Sequence, residues 1–155
     1  PKKFIAVFDS NPFKYDFYIT LGFNTEFYMF DVWEKFIDDV RKVLLKSEMT
    51  FLYKPKVINK YCHEEYLKHV NDLAKEKNCI TINSEIDATQ IIQKSSACIS
   101  MPFTSTALIA KLEGKPSVYY DPSGLIQKDD RSSHNIPVLV GIEELEEWVS
   151  ALYEN

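Results

Sequence analysis

The chain has 155 residues, a formal net charge of -5 and only four glycines, Gly22, Gly114, Gly124 and Gly141, where typical usage would give about eleven. That glycine spacing excludes both the dinucleotide fingerprint (glycines at i, i+2 and i+5) and the P-loop (two glycines five apart before Lys and Ser or Thr). The acidic balance argues against nonspecific nucleic-acid binding, which needs a basic face.

The hydrophobic share of 45% and charged share of 26% fit one globular domain with a single core. Cys62, Cys79 and Cys98 are odd in number and widely spaced. They fit a reduced, cytoplasmic setting better than a disulfide scaffold, and no pair has zinc-ligand spacing. No metal is expected. No apolar run approaches the ~18 residues of a membrane span. The first residue is Pro1 rather than methionine, which suggests a piece of a longer protein.

In chain order, Phe4 to Phe8 is a near-continuous apolar run, as expected of a strand covered on both faces. A long loop, residues 9–24, follows. Asn24 or Thr25 is the expected cap of a helix reaching about Lys46, with Phe27, Phe30, Trp33, Phe36, Ile37, Val40, Val43 and Leu44 as its apolar stripe. Thr50 to Tyr53 reads as a second strand, stopped by Pro55. Residues 61–76 read as a helix and Cys79 to Ile82 as a third strand. Asp87 and Gln90 resemble a capping box that opens a short helix through Lys94. Ala97 to Ser100 is a fourth strand, and Thr104 or Ser105 begins a helix closed at Glu113 by Gly114 and Pro116. Ser117 to Tyr120 is a fifth strand. The loop 121–135 leads to a sixth strand, Pro137 to Val140, and to a last helix carrying Leu145, Trp148, Val149 and Leu152. Strands alternating with helices predict a Rossmann-like three-layer α/β/α domain with a parallel sheet of about six strands.

In such a sheet, ligands bind beyond the carboxyl ends of the strands. Three segments there carry chemistry. Pro102-Phe103-Thr104-Ser105-Thr106 places three hydroxyl residues in the first turn of a helix, where free backbone N–H groups and the dipole favour a phosphate. One N-cap with two filler residues accounts for the same stretch about as well. Lys54-Pro55-Lys56 puts a point charge after the second strand, with a proline that fixes its direction; a solvated basic loop is the plainer account. Tyr119-Tyr120-Asp121-Pro122-Ser123-Gly124 could offer Tyr120 or Asp121 to a sugar hydroxyl, or could simply be a strand end and a turn. Glu85 is a further polar candidate after the third strand, whereas Asp87 is accounted for as a helix cap.

The order of these segments resembles the C-terminal, nucleotide-sugar-binding half of a GT-B glycosyltransferase of the bacterial surface-polysaccharide kind. The resemblance runs from about Phe4 to Leu152. It is strongest where the helix Ile91 to Ala97 leads into Cys98-Ile99-Ser100, then the hydroxyl turn, then Gly114-Lys115-Pro116 and the strand ending at Tyr120-Asp121. Lys54-Pro55 resembles the His-Pro element of bacterial sialyltransferase-like enzymes, with positive charge kept and the titratable imidazole lost. Many such domains carry a ribose-binding Glu-Ala pair before the Gly-Lys-Pro; here the positions are Ile109 and Ala110. That departure points away from a standard UDP-sugar and toward CMP-linked donors such as sialic acid or Kdo.

The resemblance implies that Lys54, Thr104, Ser105 and Thr106 hold the donor phosphate. It implies that Pro55, Glu85, Phe103, Tyr120 and Asp121 meet the nucleotide or sugar. The donor, CMP- or UDP-linked, is a substrate, and no cofactor is expected. Catalytic residues are not assignable, because the acceptor-side base belongs to a separate N-terminal domain. The chain is therefore expected to be a single domain, residues 1–155, that is an excised half and inactive alone. Its partners are the donor and the acceptor domain, with peripheral membrane association of the full enzyme allowed. Two other readings stand beside this one: a nucleotide-sugar epimerase-like fragment, and a non-catalytic flavodoxin- or receiver-like signalling domain. The second lacks the acidic pair a receiver needs, having Asp9 alone after the first strand and Asn83 after the third.

Overall fold

A computed structural model describes residues 3–15, 29–126 and 128–154. Six strands, β1 (Phe4–Phe8), β2 (Thr50–Lys54), β3 (Cys79–Thr81), β4 (Ala97–Ser100), β5 (Ser117–Asp121) and β6 (Val138–Val140), form one sheet. They lie in the order β3-β2-β1-β4-β5-β6, and every pairing is parallel. Among the described residues, five helices connect or follow them: α1 (Phe30–Lys46), α2 (Glu64–Leu73), α3 (Ala88–Gln93), α4 (Ser105–Leu112) and α5 (Ile142–Tyr153).

The two-residue period of a strand sorts its side chains between two layers. Ile5, Val7, Phe51, Tyr53, Ala97, Ile99, Val118 and Tyr120 share one core with Trp33, Phe36, Val40 and Leu44 of α1, Tyr66 and Val70 of α2, and Leu145 and Val149 of α5. Their neighbours Ala6, Phe8, Leu52 and Cys98 meet Ile91 and Ile92 of α3 and Ala110 of α4 on the other side. A third cluster, Ala107, Tyr119, Ile136 and Val138, continues that second layer toward β6. Both faces are covered, which is why β1 and β4 read as unbroken apolar runs.

The element boundaries shift slightly from the sequence expectations. The expected caps of α1, Asn24 and Thr25, lie outside the described residues, as does Gly22. Helix α2 begins at Glu64 because the His63 imidazole accepts the Glu65 N–H at 3.1 Å. Asp87 caps α3 by accepting the Thr89 N–H at 2.8 Å. β5 runs one residue further than expected, to Asp121, and the following loop contains a 3-10 turn at Arg131–Ser133.

Gly114 follows the C-cap of α4 at φ 75°, and a Cβ placed there would meet nothing within 4 Å. Any cost of substitution is therefore backbone strain alone. Gly114→Ala is expected to destabilise the fold by about 1 kcal/mol in chemical denaturation, without a change in m-value.

The three cysteines are buried and free, and burial pushes the Cys79 and Cys98 thiols up to about 12, so neither is a nucleophile at neutral pH. Among the described residues, no helix is long and apolar enough to cross a membrane.

Candidate functional site

The strand order reverses between β1 and β4. That switch point is where an open parallel sheet leaves a crevice at its carboxyl edge. Register aligns Phe8 of β1 with Lys54 of β2 on one side and with Ser100 of β4 on the other. A cavity of about 160 Å³ opens there. Phe8 forms its floor, Lys54 to Val57 one wall, and Ser84 and Ala88 the other, with Thr106 of α4 reaching in. The sequence thus brings together two of its three candidate segments, the basic loop and the hydroxyl turn.

The hydroxyl turn is built as a chain. Thr104 donates to the Met101 carbonyl at 2.9 Å, and Thr104 Oγ1 and Thr106 Oγ1 lie 3.1 Å apart. Thr106 Oγ1 is also 3.1 Å from Ser100 Oγ, whose side chain is fully buried. Thr104 is the N-cap residue of α4, yet its hydroxyl makes no cap bond. The first-turn amides therefore have no side-chain acceptor among the described residues, and such free N–H groups at the positive end of a helix dipole favour an anion. Ser105 is exposed at the start of α4. Phe103 turns away from the crevice: its ring meets Tyr119 edge-on at 5.3 Å and packs on the third cluster. The Tyr119 hydroxyl donates to the Thr104 carbonyl at 3.2 Å, so the pair fastens the turn to β5.

Glu85 is exposed, in a turn where its N–H is held by Asn83 Oδ1 at 2.9 Å, next to the crevice residue Ser84. The third segment does not line this cavity. Tyr120 shares the parity of Val118, so it faces α1 rather than the crevice, and its hydroxyl donates to Asp39 Oδ2 at 2.7 Å. Asp121 is fully buried. Its Oδ1 accepts the Ser123 N–H (2.8 Å), the Ser123 hydroxyl (2.5 Å) and the Gly124 N–H (3.2 Å), and its Oδ2 accepts the Ile126 N–H (2.9 Å). Tyr120 and Asp121 are thus engaged in holding the fold.

Behind the crevice wall sits a group that the motifs did not single out. Asp9, directly after β1, is fully buried. Its Oδ2 accepts the Trp33 indole N–H at 2.7 Å, the Tyr66 hydroxyl at 2.9 Å and the Tyr53 hydroxyl. Its Oδ1 has no hydrogen-bond partner among the described residues. Burial raises the Asp9 pKa above the ordinary 3.8, and the three donors and the Lys56 charge only partly oppose it. Burial, followed by the Asp9 charge, raises both tyrosines, so they remain donors.

The sign follows from linkage. A carboxyl with a raised folded pKa binds its proton more tightly when folded, so its contribution to stability is present at low pH and is lost as pH climbs above about 4 through the folded value. Asp9→Asn, which cannot ionise, is expected to gain stability relative to the parent as pH rises through that window, measured by urea midpoints from pH 4 upward.

Strand order 3-2-1-4-5-6, helices on both faces and a crevice at the switch point define a Rossmann-like α/β domain. This order also sets aside the flavodoxin- or receiver-like alternative, whose sheet runs 2-1-3-4-5. The chain belongs to the family of polysaccharide biosynthesis PFTS motif proteins, whose model matches residues 1–149. The sequence spells those four letters once, at Pro102-Phe103-Thr104-Ser105, the turn that opens α4. No curated protein matches the chain. Among solved structures, Thermosulfurimonas dismutans KpsC, a beta Kdo 2,4 transferase, is similar with a TM-score of 0.46 and 11% identity. The alignment covers 94% of this chain and 43% of that one, so the chain spans less than half of KpsC.

Proposed function

We propose that this domain binds the nucleotide-sugar donor of a glycosyltransferase in bacterial surface-polysaccharide synthesis. In this reading it is one half of a GT-B enzyme, cytoplasmic and inactive without an acceptor domain. The observation that carries the reading is the crevice at the switch point, where a lysine-bearing loop faces the hydroxyl-lined start of α4, in a chain whose family is one of polysaccharide biosynthesis.

Glycosyl transfer breaks the bond between the anomeric carbon and a phosphate oxygen, so negative charge grows on the departing nucleotide. Lys54 supplies a cation and exposed Ser105 a hydroxyl beside the first-turn amides of α4, and these stabilise that charge as it develops. Thr104 and Thr106, whose protons run along the hydroxyl chain to the Met101 carbonyl, add to them by turning a hydroxyl outward when the donor phosphate is bound. Neighbouring strands are about 4.8 Å apart, which separates the Lys54 and Ser100 backbones by roughly 10 Å, a distance that one lysine side chain and one phosphate together span. Pro55 holds the basic loop in one direction, and Glu85 stands at the rim for a ribose or sugar hydroxyl. Phe103 serves indirectly, by anchoring the turn. With isoleucine at 109, the ribose receives no carboxylate from α4, which favours a CMP-linked donor over a UDP-linked one.

Calorimetric titration with CMP, UDP and GDP tests this directly. Binding of CMP at sub-millimolar concentration, tighter than UDP, is the expected result. No binding of any of the three at millimolar concentration would sink the reading.

A further inference from the structure

A hydrogen-bond path leads from the buried carboxylate to the basic loop. The backbone N–H of Lys56 donates to the Tyr66 hydroxyl at 3.2 Å. That hydroxyl donates in turn to Asp9 Oδ2 at 2.9 Å. The same oxygen gathers Trp33 from α1 and Tyr53 from β2. One atom at the end of β1 thus ties together four elements: β1, β2, α1 and α2.

The path has a direction. Tyr66 has a single hydroxyl proton, and Asp9 takes it, which leaves the phenol oxygen facing the Lys56 amide as an acceptor. Pro55 precedes that amide and has no N–H of its own. The only backbone donor in the Pro55-Lys56 pair is therefore the one that Tyr66 holds. Lys54 and Lys56 flank Pro55, and both line the crevice. The Tyr53 and Tyr66 hydroxyls lie 3.3 Å apart, so the strand that delivers Lys54 and the helix that restrains Lys56 meet at the same point.

We propose that Asp9 and Tyr66 are positioning residues that hold the Lys54-Pro55-Lys56 loop in its anion-facing conformation. This rests on the reading of the crevice as a phosphate site. Neither residue touches the ligand. Asp9 acts as an acceptor that orients Tyr66, and Tyr66 acts as the tether of the Lys56 backbone. A fully buried carboxyl with three donors gathered on one oxygen suits this task, because it fixes the direction of each donor while remaining inaccessible to solvent.

The test pairs hydrogen exchange of the Lys56 amide with the affinity for two probes, inorganic phosphate and CMP. Tyr66→Phe keeps the ring and removes only the oxygen. Lys56 exchange should rise about tenfold, and both affinities should fall about three- to tenfold, the loss of one hydrogen bond's worth of order. Amides of Ile99 and Val118 in the sheet should exchange as before. Asp9→Asn keeps an acceptor at the Oδ2 position and should behave as the parent in both measurements, whereas Asp9→Ala should reproduce Tyr66→Phe. Should Asp9→Ala fail to fold, Tyr66→Phe and Asp9→Asn still decide the matter.

Unchanged Lys56 exchange in Tyr66→Phe overturns the proposal, as does exchange accelerated equally across the whole sheet. Faster Lys56 exchange with unchanged affinity overturns the positioning role. If the parent protein binds neither probe, the phosphate reading fails and the positioning role fails with it, while the exchange data alone would still identify the tether.

Discussion

Lys54→Ala combined with Lys56→Ala is expected to weaken CMP binding by about 30- to 100-fold at low salt. Each charge-assisted contact with a phosphate is worth about 1.5 kcal/mol or more, and each 1.4 kcal/mol is tenfold in affinity. The estimate sits at the lower end because Lys56 is exposed and Lys54 half-buried, so solvent screens both. Raising ionic strength should therefore weaken the parent protein more steeply than the double variant, since only the parent has these charges to screen. Thermal stability should change little, because neither ammonium has a hydrogen-bond or ion-pair partner among the described residues, and the Lys56 charge acts on Asp9 only as a minor influence beside burial. Replacement by arginine should restore part of the affinity, as the charge is kept while its point-like geometry is not. If the alanine pair binds CMP as the parent does, the basic loop is the solvated turn of the plainer account, and the crevice must rely on the α4 start alone.

How much of this was legible in the sequence differs by element. The six strands were visible because a parallel strand covered on both faces needs no alternation: Phe4 to Phe8 and Ala97 to Ser100 stand out as short apolar runs. The end of α4 was visible because Gly114 accepts a positive φ and Pro116 cannot continue a helix. The crevice itself followed from the general placement of ligands at strand ends. Strand order was not legible, since parallel pairing joins residues far apart in the chain, such as Ile5 with Ala97.

Asp9 was legible only as a lone acid ending an apolar strand. Its donors, Trp33, Tyr53 and Tyr66, lie 24, 44 and 57 residues away, so no local spacing announces the cluster. Tyr120 shows the opposite limitation. Alternation says that Tyr119 and Tyr120 face different layers, but which of the two faces the crevice depends on the helices that cover each side. The hydroxyl turn was the clearest local signal. Even there the fold divides the labour in a way that sequence does not display, with Thr104 and Thr106 bonded into a chain with Ser100 and Ser105 left exposed.

Asp121→Ala is expected to be among the most destabilising single changes in the molecule, by about 2–4 kcal/mol, because one buried side chain satisfies four donors. Three of those donors are backbone amides of the 121–126 turn, which would otherwise face the protein unpaired. The turn also carries Gly124 at φ 75° and Ile126, which packs against two of the hydrophobic clusters, so unfastening it loosens the wall beside β5. For a domain of this size the loss corresponds to a fall of about 2–4 °C in Tm per kcal/mol. Asp121→Asn separates the two faces of the carboxylate. Its oxygen can keep the Ser123 and Gly124 bonds, but its amide group would then oppose the Ile126 N–H, donor against donor, so an intermediate loss is expected. These variants also discriminate between the two roles considered for Asp121. As the organiser of the turn, it should lower Tm strongly and CMP affinity little once the protein is held below its transition. As a sugar ligand, it would do the reverse, lowering affinity for the intact donor while leaving Tm nearly in place. The four hydrogen bonds favour the first outcome, because a carboxylate with both oxygens already engaged has little left to offer a hydroxyl.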